Sequence, residues 1–351
     1  MRIVDSAFEA DVMSHVRSLL RSSGFHFVDD FARTISGEEE GVYDWLVANY
    51  LKNGDFPTPA TAYGALDLGG ASTQISFPTS TVTDDLIPLR IDNVEYPLYT
   101  QSFLYFGTDQ ARLQYDTKFA TLTKSNPCYP TGYTDPDSNI SGSSNWEECL
   151  SSVAKLFDET IIHRPPIDVN QRFIAMSAFV YTWDYMGLKI GRETEDLNAL
   201  NANGRHICNL PVKQQIEQYR LHMTHRPTKR KTTKPHAQCF NAAFQYHLLS
   251  KGYGLPVSNT PIEIYYDIGG TKVQWALGLM LMEANKISSI FKESGEQLDI
   301  YNMPGDTYKY LFIISIVVVI MLTLVLGPYR VKRPSEAQES ILPLKRKVSD
   351  R

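Results

Sequence analysis

The chain has 351 residues, with 34 Lys+Arg against 39 Asp+Glu, a formal charge of −5, 43% apolar residues and 4 cysteines. The apolar fraction is too high for a disordered or collagen-like chain, and the length allows about two domains. With no chain-wide cationic field, nucleic-acid binding is set aside as the main activity.

Residues 5–23 place Phe8, Val12, Val16, Leu19 and Leu20 at helical spacing, with Ser6 and Glu9 as a capping box and Gly24 as a stop. Phe25–Val28 reads as a short strand. A second helix starts at Ser36-Gly37-Glu38-Glu39, carries Val42, Trp45, Leu46, Asn49 and Tyr50 at helical spacing, and breaks at Asn53-Gly54. Tyr63–Leu66 reads as a strand running into Asp67-Leu68-Gly69-Gly70-Ala71-Ser72. Thr73–Phe77 follows as a strand with Gln and Ser on one side and Ile and Phe on the other. Strand-like stretches fill Leu86–Leu104, and a helical segment begins at Asp109. The Ser, Asn, Pro and Gly of 123–147 predict a stapled surface loop. Helices are expected at Glu147–Phe157, Gln214–His222, Ala237–Lys251 and Lys272–Ile290, and a strand at Ile262–Tyr266. Arg172–Tyr181 reads as a buried strand or the edge of a pocket. Mixed strands and helices with long crossovers indicate an α/β class.

Tyr310 to Tyr329 has no charged residue between Lys309 and Arg330, matching the ~20 residues a bilayer-spanning helix needs. Arg330, Lys332 and Arg333 follow it, so the tail 330–351 is expected in the cytoplasm and residues 1–309 on the extracellular or lumenal side. Cys128, Cys149, Cys208 and Cys239 all lie on that side, where an even count is read as disulfides. Three pairings are open; loop closure favours neighbours, Cys128 with Cys149 and Cys208 with Cys239. His206, His222, His225 and His236 near the last two cysteines raise zinc, but their spacing fits no common finger. Asn139-Ile140-Ser141 is an acceptor sequon for N-glycosylation. The basic run His225–His236 reads as a solvated insertion. Residues 1–25 hold no apolar run of signal-peptide type, so an N-terminal part is expected beyond this sequence.

Two segments could carry chemistry. In Asp67-Leu68-Gly69-Gly70-Ala71-Ser72-Thr73-Gln74, adjacent glycines let consecutive N–H groups face an anion, and a carboxylate at a strand end can hold a hydrated divalent cation. A hairpin turning on Gly-Gly would read the same. Glu38-Glu39-Glu40-Gly41 is either an acidic first turn complementing the helix dipole or the source of a general base.

Together with Ser177-Ala178-Phe179-Val180-Tyr181 and Trp275-Ala276-Leu277-Gly278, these segments resemble the third, fourth and fifth apyrase regions and the closing motif of the ecto-nucleoside triphosphate diphosphohydrolases, the apyrase or GDA1/CD39 family. The resemblance implies a two-lobed actin/Hsp70/hexokinase-like (RNase H-like) α/β fold with nucleotide in the cleft. It divides the chain into 1–33 (remnant of lobe I), 34–261 (lobe II) and 262–305 (return to lobe I). It implies metal-assisted hydrolysis of nucleoside tri- and diphosphates with Ca²⁺ or Mg²⁺ and no covalent intermediate, and it allows a homo-oligomer. Glu40 would activate water and Asp67 would hold the metal through its water shell. Gly69, Gly70, Ala71 and Ser72 would form a phosphate loop, Ser72 and Gln74 would flank the attacking water, and Tyr181 would stack on the base. Little else is asked of a protein that transfers phosphoryl groups. Family members also carry an Asp-x-Gly-Ser-Ser loop and a Gly-Ala-Thr-Ala-Gly region, and neither occurs here. On this reading the first lobe is largely missing, and the chain alone is a poor enzyme or a non-catalytic membrane glycoprotein. A rival comes from Asp267-Ile268-Gly269-Gly270-Thr271-Lys272, which resembles the phosphate motif of ROK-type sugar kinases. Its plain reading is a strand-to-helix turn.

Overall fold

The computed structural model describes residues 1–294 apart from Asp84, Asp92, 121–123, 159–163 and 224–233. The predicted span 310–329, the tail 330–351 and most of the basic insertion lie outside the described residues. Among the described residues no helix is long and apolar enough to cross a membrane. Contacts gather residues 1–289 into one unit and assign 290–351 to a second, of which the described part is the end of a helix.

The strands are β1 (Gly64–Leu68), β2 (Ser72–Pro78), β3 (Leu86–Ile91), β4 (Val94–Leu104), the two-residue β5 (Ser125–Asn126) and β6 (Ser141–Gly142), β7 (Phe173–Ala175), β8 (Ile262–Ile264), β9 (Asp267–Ile268) and β10 (Thr271–Lys272). The helices are α1 (Ser6–Arg21), α2 (Gly37–Asn53), α3 (Thr108–Tyr115), α4 (Trp146–Asp158), α5 (Ala178–Tyr185), α6 (Leu197–Cys208), α7 (Val212–Met223), α8 (Gln238–His247) and α9 (Trp275–Ser294). Six strands form one mixed sheet in the order β3-β4-β2-β1-β7-β8. Pairing is antiparallel from β3 to β1 and parallel from β1 through β7 to β8.

Period-two alternation gives the sheet two buried faces. Leu66, Leu68, Ile75 and Phe77 pack with Trp146, Trp183, Phe240 and Phe244 from the helices of one layer. Ala65, Ile174 and Met176 pack on the other side with Trp45, Leu46 and Val47 of α2. A stretch of α2 from Gly41 to Asn49 is buried all round, as expected of a helix enclosed within a core rather than lying on it. At Gly278 of α9 an added Cβ would lie 1.8 Å from the Tyr43 carbonyl oxygen, so only glycine allows this approach. Both ends of α2 lie where the sequence places them. The Ser36 hydroxyl accepts from the Glu39 amide while the Glu39 carboxylate accepts from the Ser36 amide, and Gly54 ends the helix in the left-handed region at φ 76°.

Cys128 is bonded to Cys149 and Cys208 to Cys239, the neighbour pairing favoured by loop closure, which leaves no zinc site at these cysteines. Asn139 is exposed, in the left-handed region, within the stapled loop.

Several expectations are corrected. The cap of α1 is Asp5, whose carboxylate accepts from the Ala7 and Phe8 amides, in place of Ser6. Phe25–Val28 is irregular and leads into a 3₁₀ turn at Asp29–Phe31, because no neighbouring strand offers it a ladder. Tyr50 is exposed although it fits the helical spacing. Arg172–Tyr181 is only a three-residue strand, and Ala178 onward is helix α5. Helix α6 lies where no element was expected, in a segment whose Asn and Gly residues hide its apolar positions Leu197, Leu200 and Ile207. Asp267–Lys272 is an exposed hairpin, β9 and β10, and not a strand-to-helix turn; Gly269 and Gly270 both adopt positive φ, as a tight hairpin turn requires.

Candidate active site

The register of the sheet assembles the site. Asp67 on β1 lies opposite Gln74 on β2, and Gln74 lies opposite Ser102 on β4. Directly paired residues share a face, so these three side chains form one row on the side of the sheet that α2 covers. Ser72, two positions before Gln74, shares that face. The first turn of α2 brings Glu40 down on the row, and the approach is close because Gly37 and Gly41 face the sheet. A Cβ on Gly37 would fall 2.1 Å from Ser102 Oγ, and one on Gly41 would fall 2.7 Å from Ser76 Oγ.

Side chains then connect in a short network. Gln74 Nε2 donates to Glu40 Oε2 at 2.9 Å and lies 3.0 Å from both Ser72 Oγ and Ser102 Oγ. The Arg2 guanidinium pairs with Glu40 Oε2 and donates to Ser72 Oγ at 3.0 Å and Ser102 Oγ at 3.2 Å. Glu40 Oε1 accepts no bond from any described residue, so one oxygen of this carboxylate is held and the other is open.

Asp67 is the next-to-last residue of β1 and is 9% exposed. It accepts from Ser177 Oγ; Ser177 stands immediately before α5 with a positive φ of 59° and spends its hydroxyl on Asp67 rather than on a helix cap. Burial pushes the Asp67 carboxyl up to about 6, the Ser177 hydrogen bond opposes that, and the nearby Glu40 charge adds to it. Asp44, one turn beyond Glu40 on α2, is pushed well above the usual carboxylate range, first by burial and then by Asp67 and Glu40.

The loop between β1 and β2 has its carbonyls occupied. Gly69 O accepts from the Thr108 amide, Gly70 O from those of Asp109 and Gln110, and Ala71 O from that of Tyr105. The amides of Gly70 and Ala71 donate to no described group. Gly107 lies flat against this loop, with a hypothetical Cβ only 2.4 Å from Ala71 N. Unlike Gly269 and Gly270, neither Gly69 nor Gly70 lies in the left-handed region, so the two Asp-x-Gly-Gly segments differ in backbone. Tyr181, one turn into α5 from Ser177, is 46% exposed and thus has a ring face open to a ligand.

The sequence-predicted residues Glu40, Asp67, Ser72 and Gln74 are brought together, the loop 69–71 joins them at the carboxyl end of β1, and Tyr181 follows on the helix that Ser177 precedes. Arg2, Ser102 and Ser177 belong to the site and were not singled out from sequence. Ser177 stood inside a recognised segment without a role, Ser102 could be found only from strand register, and Arg2 has no local pattern. A cleft of about 610 Å³ lined by Tyr63, Gln171 and Arg172 lies at the opposite ends of β1 and β7 and contains none of these residues. Among the described residues no three His, Cys, Asp or Glu side chains are grouped closely enough to hold a metal ion.

The GDA1/CD39 (nucleoside phosphatase) family matches residues 1–297. The chain is 29% identical to ectonucleoside triphosphate diphosphohydrolase 2 of Gallus gallus, over 92% of this chain and 71% of the relative. It is 31% identical to ectonucleoside triphosphate diphosphohydrolase 2 of Rattus norvegicus, over 79% of this chain and 63% of the relative. Probable apyrase 3 of Arabidopsis thaliana is 27% identical over 81% of this chain and 64% of that protein. The chain thus spans about two thirds of the length of the curated relatives it matches. Among solved structures it resembles a nucleoside triphosphate hydrolase from Neospora caninum with a TM-score of 0.58 at 15% identity, covering 82% of this chain and 71% of that one, which shows the α/β actin-like fold.

Proposed function

This chain belongs to the GDA1/CD39 (nucleoside phosphatase) family, and on that premise we propose that it hydrolyses the terminal phosphates of nucleoside tri- and diphosphates, with Glu40 as the general base. The observation that carries the reading is the meeting of Glu40, Ser72 and Gln74 on one patch beside Asp67 and two unpartnered loop amides. Ligands of open α/β sheets bind outside the carboxyl ends of parallel strands, which is where Asp67 and Ser177 lie.

Glu40 Oε2 is fixed by Gln74 and Arg2, and the open Oε1 is the atom that takes the proton of the attacking water. Ser72 Oγ and Gln74 Nε2 orient that water. Its oxygen bonds to the terminal phosphorus as the bond to the bridging oxygen breaks, and the nucleoside mono- or diphosphate leaves with the electron pair on that oxygen while the terminal group is released as inorganic phosphate. The amides of Gly70 and Ala71 hold a phosphate by directed N–H donation. Tyr181 stacks on the base.

Asp67 fits a hydrated divalent cation: it is buried, its charge has no ion-pair partner among the described residues, and its bonds from the Ser177 hydroxyl and the Leu68 backbone leave acceptor positions open. Bound there through water, Ca²⁺ or Mg²⁺ would neutralise charge on the phosphate oxygens.

Two disulfides suit an oxidising compartment, and the relatives' names carry the prefix ecto. We accordingly assign residues 1–309 to the extracellular or lumenal side with lobe segments 1–33, 34–261 and 262–305, the span to 310–329 and the tail 330–351 to the cytoplasm, with Asn139 as glycan acceptor.

A second reading, a non-catalytic binding protein, draws on the Arg2 guanidinium that already engages Glu40 and Ser72. Phosphate release from ATP, ADP and UDP by the full chain, with Ca²⁺ and with EDTA, separates the two. Cation-dependent release that falls by about 10²–10⁴ in Glu40→Ala supports hydrolysis. Nucleotide binding with no release, or release equal in Glu40→Ala, refutes it.

A further inference from the structure

Arg2 enters the mechanism above only as a clamp on Glu40. Its guanidinium pairs with Glu40 Oε2 and donates from the same nitrogen, Nη2, to Ser72 Oγ at 3.0 Å, while Nη1 donates to Ser102 Oγ at 3.2 Å. The N–H of Nε and the second N–H of Nη1 donate to no described group, and the side chain is 24% exposed. Gly37 permits the approach, since an added Cβ there would lie 2.3 Å from Arg2 Nη1.

As a clamp alone this cation is redundant and poorly placed. Gln74 Nε2 lies 2.9 Å from Glu40 Oε2 and 3.0 Å from Ser72 Oγ and from Ser102 Oγ, so a neutral donor already serves the same three oxygens. Arg2 also stands at the first turn of α2, where the helix dipole disfavours a positive charge and favours an anion. Packing of the helix that follows does not put it there, because α1 has no buried residue. What Arg2 adds is charge. Among the described residues no other Lys or Arg is bonded to Glu40, Ser72 or Gln74; Lys234 is paired instead with Asp109, whose amide donates to Gly70 O in the phosphate loop. Phosphoryl transfer spreads negative charge over the oxygens of the transferred group, and a fixed guanidinium with open N–H groups is a strong ligand for them. Reacting atoms stand roughly 3–3.5 Å apart, so a phosphorus facing a water held on Ser72 Oγ is within reach of a guanidinium bonded to the same hydroxyl.

We propose that Arg2 is a catalytic residue that binds oxygens of the terminal phosphoryl group through its open N–H groups and neutralises the charge that builds on them as water attacks. This rests on the hydrolytic reading given above. The guanidinium stays protonated throughout; the proton of the water goes to Glu40 and the electron pair to the bridging oxygen.

The test is calorimetric titration of the full chain with inorganic phosphate alone, in EDTA, together with kcat and KM for ATP with Ca²⁺, in wild type, Arg2→Gln, Arg2→Met and Arg2→Lys. Arg2→Gln keeps a donor for Glu40 and removes the charge. It should weaken phosphate binding at least about tenfold and lower kcat by about 10³ or more, the scale of an arginine that stabilises a transferring phosphoryl group. Arg2→Lys should lose less of both, and Arg2→Met, which keeps the stem without charge or donors, should match Arg2→Gln in phosphate affinity and stands in for it should the amide perturb the fold. Phosphate affinity equal to wild type in Arg2→Gln and Arg2→Met overturns the proposal even where kcat falls, because that is the result of a clamp. A rise in kcat overturns it as well, since Arg2 would then obstruct the site, and so does a wild type that binds no phosphate. No release from ATP by wild type refutes the hydrolytic reading and with it catalysis by Arg2, while phosphate binding lost in Arg2→Gln would still establish the contact.

Discussion

Replacing Asp67 by Asn should make the cation-free protein more stable at neutral pH while removing its activity. The carboxyl is raised from 3.8 to about 6, chiefly by burial. About two units correspond to roughly 3 kcal/mol. The sign follows from linkage: an acid whose folded value is raised binds its proton more tightly when folded. Its ionisation therefore costs nothing below about 4, costs progressively more up to about 6, and imposes the full penalty above that. Asn keeps the shape and still accepts from Ser177 Oγ, so the substitution removes the charge without opening a cavity. For a unit of this size ~3 kcal/mol corresponds to about 5 °C in melting temperature. The assay is thermal unfolding of the full chain in EDTA, wild type against Asp67→Asn, at pH 4, 6 and 8. The variant should melt higher by about 5 °C at pH 8, with the gap closing towards pH 4. A variant that melts lower at pH 8, or a gap that does not change with pH, would refute the claim that burial outweighs the stabilisation the ionised carboxylate receives from its neighbours.

Gly107→Ala should displace the phosphate loop, because the new methyl would stand 2.4 Å from Ala71 N and 2.4 Å from Gly70 C, both backbone atoms that cannot rotate away. A loop shift near 1 Å can cost about 10²-fold in rate, so phosphate release should fall by that order while circular dichroism keeps its native shape; wild-type turnover would contradict the loop assignment. Tyr181→Ala should raise KM for ATP about tenfold or more with kcat nearly unchanged, given about 1–3 kcal/mol for a base stacked on an aromatic ring. Inorganic triphosphate, which has no base, serves as the control and should be hydrolysed equally by both proteins.

Much of the site was legible because its parts sit on elements with strong local signals. The capping box at Ser36 and Glu39 and the stop at Gly54 frame α2, and that frame places Glu40 in the first turn. The period-two run Ser72–Pro78 puts Gln74 on the polar side. Residues joined by register or by long-range packing were not legible. Ser102 enters only because β4 pairs with β2, Arg2 reaches Glu40 across 38 residues, and Ser177 meets Asp67 across 110.

The two Asp-x-Gly-Gly segments show where local chemistry stops deciding. Both follow a strand and both lead into a hairpin. At 267–270 the glycines take positive φ, the turn is tight and exposed, and nothing lies within 4 Å of either hypothetical Cβ. At 67–70 the glycines stay out of the left-handed region, the loop is one residue longer, and residues 105–110 bind its carbonyls from below. That occupation of the carbonyls leaves the Gly70 and Ala71 amides as the open polar groups of the loop. A Gly-Gly turn becomes an anion cradle when a neighbouring segment takes up its acceptors, and the neighbour here is Tyr105 to Gln110, with Gly107 allowing the close approach. The distinction therefore lies 40 residues downstream of the motif, in a segment that no reading of Asp67–Gln74 alone could have reached.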